Sequence, residues 1–186
     1  MPPIKLLGMS GSLRAGSFNT QLMREGARYF AADEFVEASL RLPLYDGDLE
    51  AADGIPAEVQ TLSDQIAAAD AVIIASPEYN QSLTGVLKNA LDWVSRTESK
   101  PWADKPVAIV AAAAGRAGGA RGAYALRLAM MPFAAHVLPG PEVLVAAAFK
   151  EFDEAGQLKT DSYSELLKKL MSDLRAIAEQ NAARAA

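Results

Sequence analysis

The residues best equipped for chemistry lie in Ser10 to Thr20, SGSLRAGSFNT. Gly11 and Gly16 leave backbone N–H groups accessible, Ser10, Ser12, Ser17 and Thr20 supply hydroxyls, and Arg14 supplies a guanidinium. The segment leads from an apolar run into a stretch of helical spacing. Its donors therefore stand at a helix N-terminus, where unpaired amides and a positive partial charge favour an anion. No Gly-Lys-Ser/Thr follows, as a triphosphate loop requires, and the segment lacks the dinucleotide pattern G-x-G-x-x-G. One arginine and no lysine suit a monophosphate better than a triphosphate. A serine-rich turn closed by an N-cap at Ser17 or Asn19 accounts for the same composition.

A second polar segment, Ser76 to Ser82, carries Pro77, Glu78, Tyr79 and Asn80. Tyr79 offers an aromatic face and Asn80 both a donor and an acceptor, so this loop could address the imide edge of a planar heterocycle. A proline-started turn with Tyr79 packed on a neighbour is the other reading. A third segment holds glycines at 115, 118, 119 and 122, with Arg116 and Arg121 as phosphate-binding, solvated or interface arginines.

Other chemistries are excluded by what is missing. The chain has no cysteine and one histidine, His136, which removes thiolate nucleophiles, disulfides, iron–sulfur ligation and multi-histidine metal centres. No G-x-S-x-G surrounds any serine, which argues against a hydrolase triad. Glu78 with Asp92 and Asp46 with Asp48 read as solvated carboxylates, and no metal is expected. The formal net charge is −5 with no long block of either sign, so neither nucleic acid nor a membrane surface is an expected partner. No apolar run reaches the roughly 18 residues of a membrane span and MPPIKLLGMS lacks a signal-peptide pattern, so a cytoplasmic location is expected.

The elements that must position these loops follow from hydrophobic spacing. The 186 residues, 51% apolar with 37 alanines, suit one domain over 1–186 with a small-residue core. Strands are expected at Ile4 to Met9, Val36 to Leu40, Ala71 to Ala75, Val107 to Ala113 and Val137 to Ala148, the last interrupted by Pro139 and Pro141. Helices are expected at Phe18 to Ala31, Ala57 to Ala69, Thr84 to Ser95, from the glycine segment through Met131, and Ser162 to Gln180, with Pro43 to Asp53 a loop and Ala182 to Ala186 frayed. Alternating strands and helices predict an α/β fold: an open, doubly wound, five-stranded parallel sheet in the flavodoxin-like order 2-1-3-4-5. In that order the polar loops after strands one, three and four emerge at one edge, where such sheets bind ligands.

Two stretches, GSLRAGSFN at Gly11 to Asn19 and PEYNQSLTGVLKNALDW at Pro77 to Trp93, resemble the signature segments of the NADPH-dependent FMN reductase family, which includes bacterial quinone, chromate and ferric-chelate reductases. The resemblance extends over nearly the whole chain. It implies a flavodoxin-like fold, tightly bound FMN, and ping-pong two-electron transfer from NADPH or NADH to the flavin and then to a small-molecule acceptor. It implies that Ser10, Ser12, Leu13, Arg14, Ser17, Phe18, Asn19 and Thr20 hold the FMN phosphate and ribityl chain. Pro77, Glu78, Tyr79 and Asn80 would lie against the isoalloxazine, with Ala112 to Gly115 near its pyrimidine end. Relatives often carry Ser or Thr where this chain has alanines, so contacts at Ala112 and Ala113 are expected through the backbone.

The resemblance implies no acid–base catalyst, because the cofactor carries the hydride chemistry. It also implies a homodimer or homotetramer, with Arg121, Tyr124 and Glu142 at an inter-subunit contact and Leu83 to Trp93 as a candidate dimer face. A flavodoxin-like electron carrier without NAD(P)H activity, and a reductase that releases FMN as a substrate, are the competing functions. No acidic ribose-reading residue or 2′-phosphate arginine stands at a recognisable spacing.

Overall fold

The computed structural model describes residues 3–185. Its strands are β1 Lys5–Ser10, β2 Glu34–Glu37, β3 Ala71–Ala75, β4 Pro106–Ala112, β5 His136–Val137 and β6 Val143–Val145. Its helices are α1 Phe18–Phe30, α2 Gly47–Asp53, α3 Ala57–Ala68, α4 Gly85–Val94, α5 Ala120–Met130 and α6 Asp161–Ala185. All strand pairs are parallel, in the order β2-β1-β3-β4-β5, with β6 also on β4. This is the flavodoxin-like order expected from the alternation of elements.

Two expectations about the sheet need correction. The fifth position is occupied by two short strands, not one: β5 pairs with Pro106 and Val107, and β6 pairs with Val110 to Ala112. Pro139 and Pro141 lie between them, where a residue without an N–H cannot sustain a ladder. The second strand pairs at Glu34–Glu37, earlier than Val36 to Leu40. The apolar alternation of Val36, Ala38 and Leu40 continues beyond the paired residues, and Ala38 and Leu40 are buried without belonging to the strand.

The sheet is covered on both faces, which explains the unbroken apolar reading of its central strands. Ala71, Ile73 and Ala75 of β3 point to the layer made by α1 and α6, with Leu22, Phe30, Leu167 and Met171. Val72 and Ile74 point to the layer of α3, α4 and α5, with Leu62, Ile66, Leu87, Leu91 and Leu126. Close packing on the first layer rests on Gly26 of α1, where an added Cβ would collide with Ile73. Among the described residues no helix is long and apolar enough to cross a membrane.

The segment Pro43 to Asp53 is not all loop: α2 occupies its second half, with the Asp46 side chain accepting from Asp48 N at 2.9 Å. This helix buries no residue, so it has no amphipathic stripe to be read. The chain before it is anchored by Trp93 Nε1 and Asn89 Nδ2, which donate to Pro43 O at 2.8 and 2.9 Å. The last helix continues through Ala182 to Ala185, where fraying was expected, and Ala182 packs on the core; Ala186 lies outside the described residues.

Candidate functional site

Parallel pairing brings the carboxyl ends of β1, β3 and β4 together, and backbone bonds carry that order into the loops. Gly11 N donates to Ala75 O at 2.9 Å, Ser76 N to Val110 O at 2.8 Å and Ala113 N to Val145 O at 3.0 Å. The loops after β1, β3 and β4 thus leave from one edge of the sheet. Gly11 is required where the first two meet, since a Cβ there would stand 2.6 Å from Leu87 Cδ1 and 2.9 Å from Pro77 Cδ.

The first loop is built around hydroxyls and open amides. Ser10 Oγ and Thr20 Oγ1 are hydrogen-bonded at 2.8 Å, Ser10 Oγ accepts from Ser12 N at 3.4 Å, and Ser12 Oγ accepts from Arg14 N at 3.4 Å. Ser17, not Asn19, is the N-cap of α1, accepting from Thr20 N at 3.3 Å. Among the described residues the amides of Ala15, Gly16 and Ser17 have no protein acceptor, and Leu13, Arg14, Ala15 and Gly16 are exposed. Open amides at the start of a 13-residue helix, beside an arginine with no ion pair among the described residues, are suited to a phosphate.

Asn19 does something else. It is 5% exposed, its Nδ2 donates to Ala112 O at 2.7 Å, and its Oδ1 accepts from Ala112 N at 3.0 Å. The amide therefore ties the first turn of α1 to the end of β4, and it occupies the backbone groups of Ala112 that were expected to face a ligand. Phe18 stacks on Phe152 with ring centroids 5.7 Å apart and packs against the core.

The second loop is a two-residue hairpin turn. Tyr79 and Ser82 exchange backbone bonds of 3.1 and 3.2 Å, and Asn80 and Gln81 have φ of 51° and 64°, the left-handed pair a type I′ turn demands. The turn lifts Tyr79, which is 49% exposed, above the loop edge. Glu78 is committed elsewhere: its Oε2 accepts from the amides of Arg121 and Gly122 at 2.9 and 3.3 Å, capping α5, whose own N-cap is Gly119. Gly122 lets the helix approach this closely, since a Cβ would meet Pro77 O and the Glu78 Cα at 3.0 Å.

Sequence reasoning missed Thr84 as a linking residue. Its hydroxyl donates to Gly11 O at 2.9 Å and accepts from Leu87 N at 3.3 Å, so one side chain caps α4 and holds the first loop. In the third loop Gly115 O accepts from Gly118 N at 3.3 Å and space is open at the Gly115 Cα.

A cavity of about 210 Å³ adjoins the first loop, lined by Ser10, Ser12, Leu13, Arg14, Ala15 and Thr20, and across from them by Arg24, Glu37, Ser39 and Arg41. A larger one of about 610 Å³ lies at the opposite edge of the sheet, between Leu91, Val94, Trp102 and Phe133, away from these loops. Within the candidate dimer face Leu83 to Trp93, Leu87, Leu91 and Trp93 are buried in this chain's own core, while Leu83 and Val86 are half-buried. Tyr124 donates to Glu142 at 3.1 Å within the chain, which raises the tyrosine pKa, and Tyr124, Leu128 and Met131 lie exposed along one side of α5 and its continuation.

The sequence profile of the NADPH-dependent FMN reductases matches residues 4–150. An NAD(P)H-dependent FMN reductase of Pseudomonas aeruginosa is 42% identical over 174 residues, covering 92% of this chain and 94% of the relative. A quinone reductase of Escherichia coli strain K12 is 42% identical over 144 residues, 76% of this chain and 77% of the relative. Among solved structures, the flavoenzyme NAD(P)H:(acceptor) oxidoreductase FerB of Paracoccus denitrificans superposes with a TM-score of 0.85 at 27% identity, covering 95% of this chain and 98% of FerB. Profile, sequence relatives and fold agree with the loop architecture, and the chain belongs to the NADPH-dependent FMN reductase family.

Proposed function

We propose that the chain, acting as one domain in the cytoplasm, is an FMN-dependent NAD(P)H:acceptor oxidoreductase that works by ping-pong two-electron transfer, with a quinone or comparable small molecule as acceptor. The observation that carries the reading is the open amides of Ala15 to Ser17 at the start of α1, with Arg14 unpaired among the described residues and the exposed Tyr79 turn rising from the same edge. FMN held there would supply the chemistry of hydride acceptance from the nicotinamide and two-electron delivery to the acceptor.

The chain's own groups bind and orient. The amides of Ala15 to Ser17, Arg14 and the hydroxyl of Ser12 hold the phosphate; Ser10 and Thr20, already bonded to each other, form the wall behind it. Pro77, Tyr79 and Asn80 line the ring side, and Gly115 leaves room at the third loop. Glu78 and Asn19 act by position, fixing α5 and β4 relative to the loops. No residue need move a proton at the reacting atoms, in keeping with a chain that has one histidine, exposed on β5.

The test is the anaerobic visible spectrum before and after one equivalent of NADPH. Flavin bands that bleach support the reductase. Bands that persist with both NADPH and NADH turn the reading to an electron carrier, and a colourless protein that takes up no added FMN overturns it. We also propose a homodimer or homotetramer that covers the exposed side of α5; light scattering that gives a monomer at micromolar concentration refutes the assembly.

A further inference from the structure

The cavity beside the first loop has a second wall, made of residues other than those assigned above to the FMN phosphate. That wall comes from the chain after β2, on the far side of β1 from the Tyr79 turn. Ser39 and Arg41 stand on it, and Arg24 and Glu37 line the same cavity. Arg24 is already neutralised, because Glu37 accepts from its Nε and Nη2 at 2.8 and 3.0 Å. Arg41 is exposed and forms no ion pair among the described residues. Its Nη2 donates to Leu13 O at 3.1 Å, which holds the guanidinium against the first loop while leaving its other donors for a ligand.

A fixed guanidinium with free donors, a neighbouring hydroxyl and an uncompensated positive charge suits the oxygens of a phosphate monoester. At about 210 Å³ the space is below the roughly 300 Å³ at which whole-ligand pockets begin, so it fits an end group and not an entire nucleotide. Two phosphates of the proposed reaction have that form: the FMN phosphate and the 2′-phosphate that distinguishes NADPH from NADH. The first has its seat at the open amides of Ala15 to Ser17. The wall at Ser39 and Arg41 is left for the second.

We propose that Arg41, assisted by Ser39, receives the 2′-phosphate of the nicotinamide donor and makes this chain selective for NADPH. The inference rests on the reductase reading above and adds the residue that reads the donor. Arg41 is a specificity residue and takes no part in the transfer itself.

The experiment titrates the FMN-saturated protein by calorimetry with adenosine 2′,5′-bisphosphate and with 5′-AMP, for the unaltered chain, Arg41→Gln and Arg41→Lys. The bisphosphate is expected to bind at least about tenfold more tightly than 5′-AMP, the worth of one charge-assisted hydrogen bond. Arg41→Gln is expected to abolish that gap and Arg41→Lys to retain part of it. In steady state Arg41→Gln lowers kcat/KM for NADPH by a similar factor, leaves that for NADH unchanged, and leaves the flavin absorbance of the purified protein unchanged.

Equal affinity for the two probes, or a gap that survives Arg41→Gln, overturns the proposal. So does release of FMN by the bisphosphate, which would mean that the cavity is only the seat of the FMN phosphate. Failure of the flavin reading shows separately, as a protein that takes up no FMN, and the same titration on that protein still decides whether Arg41 distinguishes the probes.

Discussion

Replacing Asn19 with alanine tests whether the site is held together by a single amide. In the native chain the Asn19 side chain satisfies both the N–H and the C=O of Ala112, at 3.0 and 2.7 Å, in a place with almost no solvent. Alanine leaves two buried backbone groups without partners. At about 1–3 kcal/mol for each orphaned group, the loss is about 2–6 kcal/mol, less whatever entering water recovers. That is a large part of the roughly 5–15 kcal/mol by which a domain is stable. Asn19→Asp discriminates further: it keeps an acceptor for the Ala112 N–H but turns a second oxygen towards the Ala112 carbonyl, so it is expected to cost at least as much. The assay is urea unfolding followed by circular dichroism, with and without added FMN, so that lost stability is separated from lost ligand. An Asn19→Ala midpoint corresponding to a change below about 0.5 kcal/mol, the range of ordinary surface substitutions, refutes the assignment.

Three further outcomes follow from other residues. Arg14→Ala removes a charged hydrogen-bond donor from the proposed phosphate seat and is expected to weaken FMN by about 1.5–3 kcal/mol, roughly 10- to 150-fold, measured by quenching of flavin fluorescence; unchanged affinity removes Arg14 from the seat. Glu78→Ala uncaps α5 and is expected to cost about 1 kcal/mol in the same urea assay, with Glu78→Gln recovering part because it keeps an acceptor; equal stability of all three chains refutes the capping role. Lys105 is held at the end of α3, where its Nζ donates to the Ala67 and Ala69 carbonyls, and burial lowers its pKa from the ordinary 10.5. The folded chain therefore binds that proton less firmly than the unfolded chain does. Relative to Lys105→Met, stability should rise as pH climbs through the window from the lowered value to 10.5, and a flat difference across that window contradicts it.

The order of the sheet was readable because β3 and β4 are apolar on both faces and alternate with helices that carry a stripe. Edges were less readable. At β2 the apolar alternation runs past the last paired residue, and at β5 and β6 a single apolar stretch conceals two strands. The short helix α2 buries nothing, so its only local signal was the Asp46 cap. The loops with chemistry were legible as loops, yet side-chain tasks within them were not. Glu78 and Asn19 look like ligand groups by type and position, but each is satisfied by backbone more than forty residues away in the chain, a pairing that no local pattern contains. Arg41 escaped notice for the converse reason: it lies outside the first loop and reaches it only through the fold, by its bond to Leu13 O.

The broken fifth position of the sheet bears on how copies of this chain can meet. An open sheet with a long, flat outer strand invites a second sheet to continue it, which is the usual route to uncontrolled association. Here one edge is β2, four residues long with Glu34 and Glu37 exposed, and the other offers a strand of two residues and a strand of three separated by Pro139 and Pro141. Neither edge presents a row of backbone groups long enough to template a neighbour. The sheet is poorly suited to lengthwise growth, which leaves the helices and loops as the surfaces through which copies of this chain could meet.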